Sequence, residues 1–267
     1  MHPLRKNLHN ELHARPSIYF TEPAHVFHLT ILEDGSGAVS DIVSSVSSEE
    51  QSNVHGLLKV NGATLKWEKH TEFLSLTLVM PKQSDDDQWI NMPDELANLV
   101  QPYEHLIIES SQLLVESESS WKGHTSHYGF KDPAGSEIGA GAASIWSDFR
   151  LTEEGCTRIL LINKSLNAYR LGRMVRRLLE IETYRMMASL TLPIAREVSE
   201  FLIIHERRLV KLSEANANRY DCNARSVLDE ISSLSAQVVR CEALNRQRFS
   251  AAQAYSQLVS ERISELR

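Results

Sequence analysis

The sequence predicts an α+β protein in which a sheet domain, residues 1–165, precedes a long helical arm, residues 166–267. The first observation is a series of short apolar runs with strand periodicity, separated by turn residues, in the first domain. The second is a three-to-four spacing of apolar residues after residue 166, where Gly172 and Pro193 are the only helix breakers before residue 215. A composition of 42% hydrophobic and 24% charged residues supports a sizeable core.

The first domain follows the order strand, helix, strand, strand, helix, strand. The predicted strands are 24–32, 63–70, 72–80 and 105–109, and the predicted helices are 39–58 and 94–100. This order is typical of the ferredoxin-like fold, so we predict a mixed or antiparallel sheet with that fold as the specific hypothesis. Residues 119–141 are predicted to form a loop, and residues 142–151 and 157–163 a hairpin.

The sequence of the arm predicts two helices. Pro193 removes one backbone donor and should bend the first helix without ending it. An asparagine-rich break at 215–223 then precedes a heptad-like seam from Val227 to Leu266. This pattern indicates a helical hairpin or a coiled-coil-like arm that pairs with another chain, so we expect a homo-oligomer. It reaches Arg267 without a capping glycine, and we expect the helix to be truncated there.

Composition also excludes some classes of function. The formal net charge of −7 argues against a nucleic-acid partner, because phosphate binders normally present a basic face. Cys156, Cys222 and Cys241 are an odd, widely spaced set, which favours a reducing, cytoplasmic location. The N-terminus lacks the apolar run of a secretory signal, and the most apolar windows, such as 186–194, are far shorter than the ~20 residues of a membrane span.

Two motifs could carry a binding site. In NELHARP, residues 10–16, the alternating Glu11, His13 and Arg15 could converge on a ligand or metal, with Arg15 holding an anion. The structural alternative is a polar lock in which Arg15 pairs with Glu11.

In WEKHTEF, residues 67–73, Glu68, His70 and Glu72 share one strand face, which suits a divalent metal or a proton relay. An ordinary half-exposed polar strand face has the same pattern. The sequence shows no HExxH, GxSxG or GxGxxG motif, so we assign no catalytic residue, no resident metal and no cofactor.

Charged residues also cluster at the start of the arm. Several lie at three- or four-residue spacing, as in a salt-bridged helix face. We predict a structural charge network that includes the hairpin residues Asp148 and Arg150 and the arm residues Arg173, Arg177, Glu180, Glu182 and Arg185.

Five segments together resemble a bacterial family of unknown function whose members are described as uncharacterised membrane-anchored proteins. They are NELHARP at 10–16, WEKHTEF at 67–73, SDFR at 147–150, GRMVRRLLEIETYRMMASLTLPIAREV at 172–198 and RFSAAQAYSQLVSERISELR at 248–267. The resemblance implies attachment to a membrane by a segment beyond residue 267, with this region at the cytoplasmic face of the inner membrane. The layout is also similar to that of CorA-type magnesium transporters, although layout alone does not give function.

Three hypotheses follow. The first is a non-enzymatic scaffold, oligomerisation or regulatory domain at the cytoplasmic side of a membrane. The second is a metal- or anion-dependent enzyme or sensor built from the two motifs. The third is the regulatory domain of a CorA-like transporter.

Overall fold

A computed structural model describes residues 17–47, 54–83, 88–217 and 224–267, together with His2 and Arg5. It confirms the α+β class, because an eight-stranded mixed sheet precedes three long helices. The chain forms two compact units, Met1–Thr183 with Glu261–Arg267, and Tyr184–Ser260.

The strands and helices are numbered in chain order. The strands are β1 (Ala24–Leu32), β2 (His55–Val60), β3 (Ala63–Lys69), β4 (Phe73–Pro81), β5 (Ile107–Ser117), β6 (Ala134–Ile138), β7 (Ala143–Ser147) and β8 (Thr157–Asn163). The helices are α1 (Ala38–Val46), α2 (Asp94–Val100), α3 (Ala168–Ser189), α4 (Thr191–Ala217) and α5 (Ala224–Leu266).

The strand order in the sheet is β2-β3-β4-β1-β5-β8-β7-β6. Strands β5 and β8 run parallel, and the other neighbouring strands are antiparallel. Strands β3, β4, β1 and β5 with α1 and α2 have the ferredoxin-like arrangement that the sequence predicted. Strand β2 extends that sheet at one edge, and β8, β7 and β6 extend it beyond β5. The predicted hairpin is confirmed as β7 and β8.

Three predicted elements are wrong in extent. The helix predicted to reach residue 58 ends at Val46, and β2 lies within its predicted range. The predicted loop 119–141 contains β6. The strand predicted at 105–109 begins at Ile107 and runs to Ser117. Strand β2 was missed because it lies at an edge, where none of its six residues is fully buried. Asn61 and Gly62, with φ of 48° and 85°, form the hairpin turn that could have revealed it.

The sheet buries both of its faces. Helices α1 and α2 cover one face through apolar contacts of Ile42 and Leu96 with Leu29, Trp67 and Leu76. Helix α3 covers the opposite face, which we call the α3 face. There, the contacts join Leu171, Val175 and Leu178 of the helix to Val26, Leu113 and Leu161 of the sheet.

The predicted bend near Pro193 is confirmed. Helix α3 ends at Ser189 and α4 begins at Thr191, so Pro193 lies in the first turn of α4, where its missing N–H leaves no hydrogen bond unmade. In the second unit, α4 and α5 contact each other as a helical hairpin. The His205 ring Nε2 lies 2.9 Å from the Gln237 side-chain oxygen, and Arg208 lies 3.6 Å from Glu230.

The last turn of α5 packs into the first unit. The carbonyl oxygens of Leu266 and Arg267 accept hydrogen bonds from the backbone N–H groups of Gly139 and Ala140, at 2.7 and 2.9 Å. Leu266 is buried in the core beneath α3. The turn between β6 and β7 therefore caps the helix, whose last carbonyls have no partner within the helix. We call residues 262–267 with this turn the α5 clamp.

Candidate functional site

Polar side chains form two neighbouring rows across the α3 face. Paired strands place directly opposite residues on the same side of a sheet. The first row contains Lys66, Thr77, His28, Ser111 and Thr157, and the second contains His55, Glu68, Ser75, Thr30 and Glu109. We call these ten residues the polar rows. A sheet face beneath a helix is normally apolar, so each buried polar group here requires a partner.

His28 lies at the centre of the polar rows and is bonded on both sides. Its Nδ1 lies 2.8 Å from the hydroxyl of Thr77, and its Nε2 lies 2.9 Å from the hydroxyl of Thr183 on α3. The same Nε2 is 3.7 Å from a carboxylate oxygen of Glu109. Burial lowers the pKa of His28 to about 4, although the charge of Glu68 acts to raise it. The ring is therefore neutral at pH 7.

Thr183 links α3 directly to β1 and, through Thr30, to β5. Its hydroxyl also lies 2.9 Å from that of Thr30, which donates to Glu109 at 3.2 Å. Ser111 donates to the other oxygen of the Glu109 carboxylate. His28, Thr30, Glu109 and Thr183 are each at most 6% exposed, so a substrate could reach them only if α3 moved. This hydrogen-bonded group is suited to fixing the helix on the sheet.

We expect acid to destabilise the protein through His28. Its folded pKa of about 4 lies below the unfolded value of about 6.5, so between these values only the unfolded chain binds the proton. The free energy of unfolding should therefore fall as the pH drops through this window, by about 3 kcal/mol from this residue. Urea titrations at a series of pH values measure the slope.

His28→Gln should flatten the profile between pH 6.5 and 4, because glutamine carries no proton that titrates there. His127→Gln, at an exposed position in the loop before β6, is the control and should keep the wild-type slope. An unchanged slope in His28→Gln would contradict the assignment.

Lys66 and Glu68 form a buried ion pair in the polar rows. The Lys66 ammonium lies 2.8 Å from one Glu68 oxygen, and both side chains are at least 87% shielded from solvent, with exposures of 6% and 13%. Burial lowers the pKa of Lys66, and the Glu68 charge acts against this change. For Glu68, burial raises the pKa, but Lys66 and Arg176 outweigh burial and the pKa is lowered. The second Glu68 oxygen, Oε1, is buried without a hydrogen bond.

The structure separates the residues of WEKHTEF. Glu68 belongs to the polar rows, whereas His70 follows β3 and stacks on Phe73 with ring centres 4.2 Å apart. Glu72 lies in the turn before β4, where its carbonyl accepts a hydrogen bond from the Glu33 N–H at 2.9 Å. Among the described residues, no three His, Cys, Asp or Glu side chains are placed to hold one metal ion. Glu11, His13 and Arg15 lie outside the described residues.

Two residues of the predicted charge network, Arg177 and Glu180, form ion pairs with residues outside the predicted set. Arg177 pairs with Glu265 of the α5 clamp at 2.8 Å. Glu180 pairs with Arg176 at 2.7 Å and with Arg262 of the clamp. Helix α3 thus uses its charges to hold the end of α5, a contact that sequence spacing could not indicate.

The other predicted members of the network lie elsewhere. The Asp148 carboxylate accepts the backbone N–H groups of Lys131 and Arg150, at 3.0 and 3.2 Å. The Arg150 side chain lies 3.8 Å from Asp132. On α3, Arg173 and Arg185 are exposed and Glu182 is buried.

Sequence reasoning missed most of the polar rows. His28 and Thr30 interrupt an otherwise apolar strand at alternate positions, and Lys66 and Glu68 do so in the neighbouring hairpin. That alternation was the available signal, because it puts polar side chains on a face that neighbouring residues show to be buried.

Across the described ranges, each helix lacks the combination of length and apolarity that a membrane crossing requires. No curated protein matches the sequence. A family model described as "Protein of unknown function (DUF3422)" matches residues 1–267. Because this match spans the chain, the protein belongs to that family.

Proposed function

We propose that the protein is a non-enzymatic scaffold or regulatory domain that assembles with a second copy of itself through the hairpin of α4 and α5. The observation that carries this proposal is a set of large apolar side chains that stay exposed along both helices. They are Leu202, Ile203, Leu209 and Val210 on α4, and Leu228, Ile231, Val238, Val239 and Phe249 on α5. A two-helix layer buries only one side of each helix, so it needs a second layer.

A groove between the helices gives the second copy a place to dock. It has a volume of about 390 Å³, and Leu202, Val238 and Phe249 contribute apolar lining. Glu242 and Arg246 beside the groove pair with each other at 2.8 Å, so two identical surfaces would not repel at this point. Two hairpins placed face to face would form a four-helix bundle with a self-complementary interface.

The double variant Leu202→Gln/Val238→Gln tests this assembly. Both side chains are exposed in one chain, at 46% and 40%, so the substitutions should leave a single chain folded. They should weaken the contact between copies, because each places a polar amide in an apolar interface. Sedimentation velocity should show wild-type protein as a dimer or larger species and the variant as a monomer.

Leu151→Gln is the matched control, since Leu151 is 72% exposed and lies outside the hairpin of α4 and α5. It should leave the oligomeric state unchanged. Wild-type protein that stays monomeric at the highest concentration tested would refute the proposal, as would a double variant that assembles like the wild type.

We further propose that this assembly works at the cytoplasmic face of a membrane. The resemblance to proteins described as membrane-anchored supports the attachment, and three widely spaced cysteines support a reducing compartment. The native protein should then sediment with membranes after cell lysis and resist extraction by high salt. Complete recovery in the soluble fraction would exclude the attachment.

A further inference from the structure

A pocket on the sheet face opposite α3 contains an arginine whose buried Nε has no hydrogen-bond acceptor among the residues that the structure describes. Register places Phe27, Gln112 and Arg158 side by side on β1, β5 and β8. Residues 90–92 form one wall of a cavity of about 270 Å³ above them, and Glu154 and Cys156 also line it. We call this cavity the Arg158 pocket. All of its lining residues belong to the first unit.

The Arg158 side chain lines the pocket, but one of its hydrogen-bond donors is unused. Its Nε is buried and has no hydrogen-bond acceptor. Its guanidinium lies 5.2 Å from the centre of the Trp89 ring, in a cation–π contact. Within the ranges that the structure describes, the side chain makes no ion pair. A guanidinium keeps its charge at every pH that proteins tolerate, and the buried Nε–H of this half-buried arginine can still donate one hydrogen bond, so an anionic acceptor suits this position.

The surrounding side chains are held in place. Trp89 donates its indole N–H to the carbonyl of Tyr128 at 2.8 Å, which fixes the ring against which Arg158 lies. Gln112, 3% exposed, donates to the carbonyl of Ile90 at 2.8 Å and so holds the wall of the pocket to its floor. A preorganised cavity with a charged donor and a lining of both apolar and polar residues is typical of small-molecule sites.

The charge at the rim limits the ligand. The pKa of Glu154 is lowered mainly by a hydrogen bond from Thr152, with a smaller contribution from the charge of Arg158. Glu154 is therefore an anion at neutral pH, and it would repel a ligand with two negative charges more strongly than one with a single charge. A monoanion fits this charge, and an apolar body fits the apolar lining residues Phe27, Ile90 and Met92.

We propose that the Arg158 pocket binds a small organic carboxylate, whose carboxylate group accepts hydrogen bonds from the Arg158 guanidinium and whose body contacts Phe27, Ile90 and Met92. This site lies outside the hairpin of α4 and α5 and, apart from Ser111, outside the polar rows. It would make the first unit a sensor or carrier of a small metabolite acid.

Benzoate is a suitable probe, with benzamide as its neutral equivalent of the same shape. Benzoate should shift the Trp89 indole signal in NMR spectra with a Kd on the order of 1 mM, as a small ligand allows. Benzamide should bind at least tenfold more weakly, since a charge-assisted bond to the guanidinium is stronger than a neutral one. Equal affinity for the two probes, or no shift with benzoate, would overturn the proposal.

Two variants locate the site. Arg158→Gln should weaken benzoate binding at least about tenfold, whereas Arg150→Gln, which alters an exposed arginine outside the pocket, should not change it. Glu154→Gln should tighten benzoate binding and allow inorganic phosphate to bind, because the repulsion at the rim is removed. This variant keeps the test valid if Arg158→Gln fails to fold. An unchanged or weaker affinity in Glu154→Gln would overturn the proposal.

Discussion

Lys66→Met should lower the free energy of unfolding by about 3 to 5 kcal/mol, the usual cost of leaving a buried charge without its partner. Methionine has nearly the length of lysine, so the substitution removes the charge and leaves little cavity. Glu68 would remain buried with one oxygen that already lacks a hydrogen bond. Chemical denaturation at pH 7 measures the loss, which should shrink as the pH falls toward the ordinary glutamate value of about 4.3 and Glu68 becomes neutral.

The double variant Lys66→Met/Glu68→Leu is the decisive control. With both charges gone, most of the lost stability should return, because well-packed apolar residues often replace a buried ion pair at little cost. If the double variant is less stable than Lys66→Met, a partner other than Lys66 must stabilise the Glu68 carboxylate in the folded protein. Lys59→Met, at the edge strand β2, should change stability by less than about 0.5 kcal/mol.

Gly172→Ala should also destabilise the protein strongly, although alanine is the better helix former. In an exposed helix this change stabilises by about 1 kcal/mol. Here, however, a methyl group would overlap the backbone carbonyl oxygen of Ile18, and the carbonyl carbon would lie 3.1 Å away. Either α3 or the segment after residue 16 must move, which costs buried contacts of Ile18 and Phe20 in the core beneath α3. We expect a net loss of about 3 kcal/mol, as in large core disruptions.

Arg173→Ala, an exposed change one position along the same helix, is the matched control for Gly172→Ala and should stay within about 0.5 kcal/mol of the wild type. Thermal unfolding followed by circular dichroism compares the two. Faster proteolysis near Ile18 in Gly172→Ala would identify the displaced segment. A variant more stable than the wild type would mean that the chain near Ile18 does not approach the helix this closely.

The elements that sequence predicts well are those with an unambiguous pattern. Strands β1, β3 and β4 alternate clearly, and helix α2 follows a proline at its start. The edge strands β2 and β6 were missed, because an edge strand carries a weak apolar signal when much of it faces solvent.

The candidate site was predicted only where its residues are neighbours in sequence. Glu68 was singled out, but its motif partners His70 and Glu72 lie in the turn after β3. His28 bonds to Thr183, which is 155 positions away, and such a contact depends on strand register and on where α3 crosses the sheet. Neither can be obtained from spacing along a single chain.

The α5 clamp has a consequence for how the protein is made. Leu266 fills part of a core that also contains Ala24 and Val26, so this core joins the first strand to the last turn of α5. During translation, residues 24–183 cannot complete this core until the hairpin of α4 and α5 and then residues 262–267 have left the ribosome. Contacts of such long sequence separation slow folding and leave apolar surface exposed in the meantime. A nascent chain stalled before residue 262 should therefore need a chaperone, whereas a released chain that includes residues 262–267 should not.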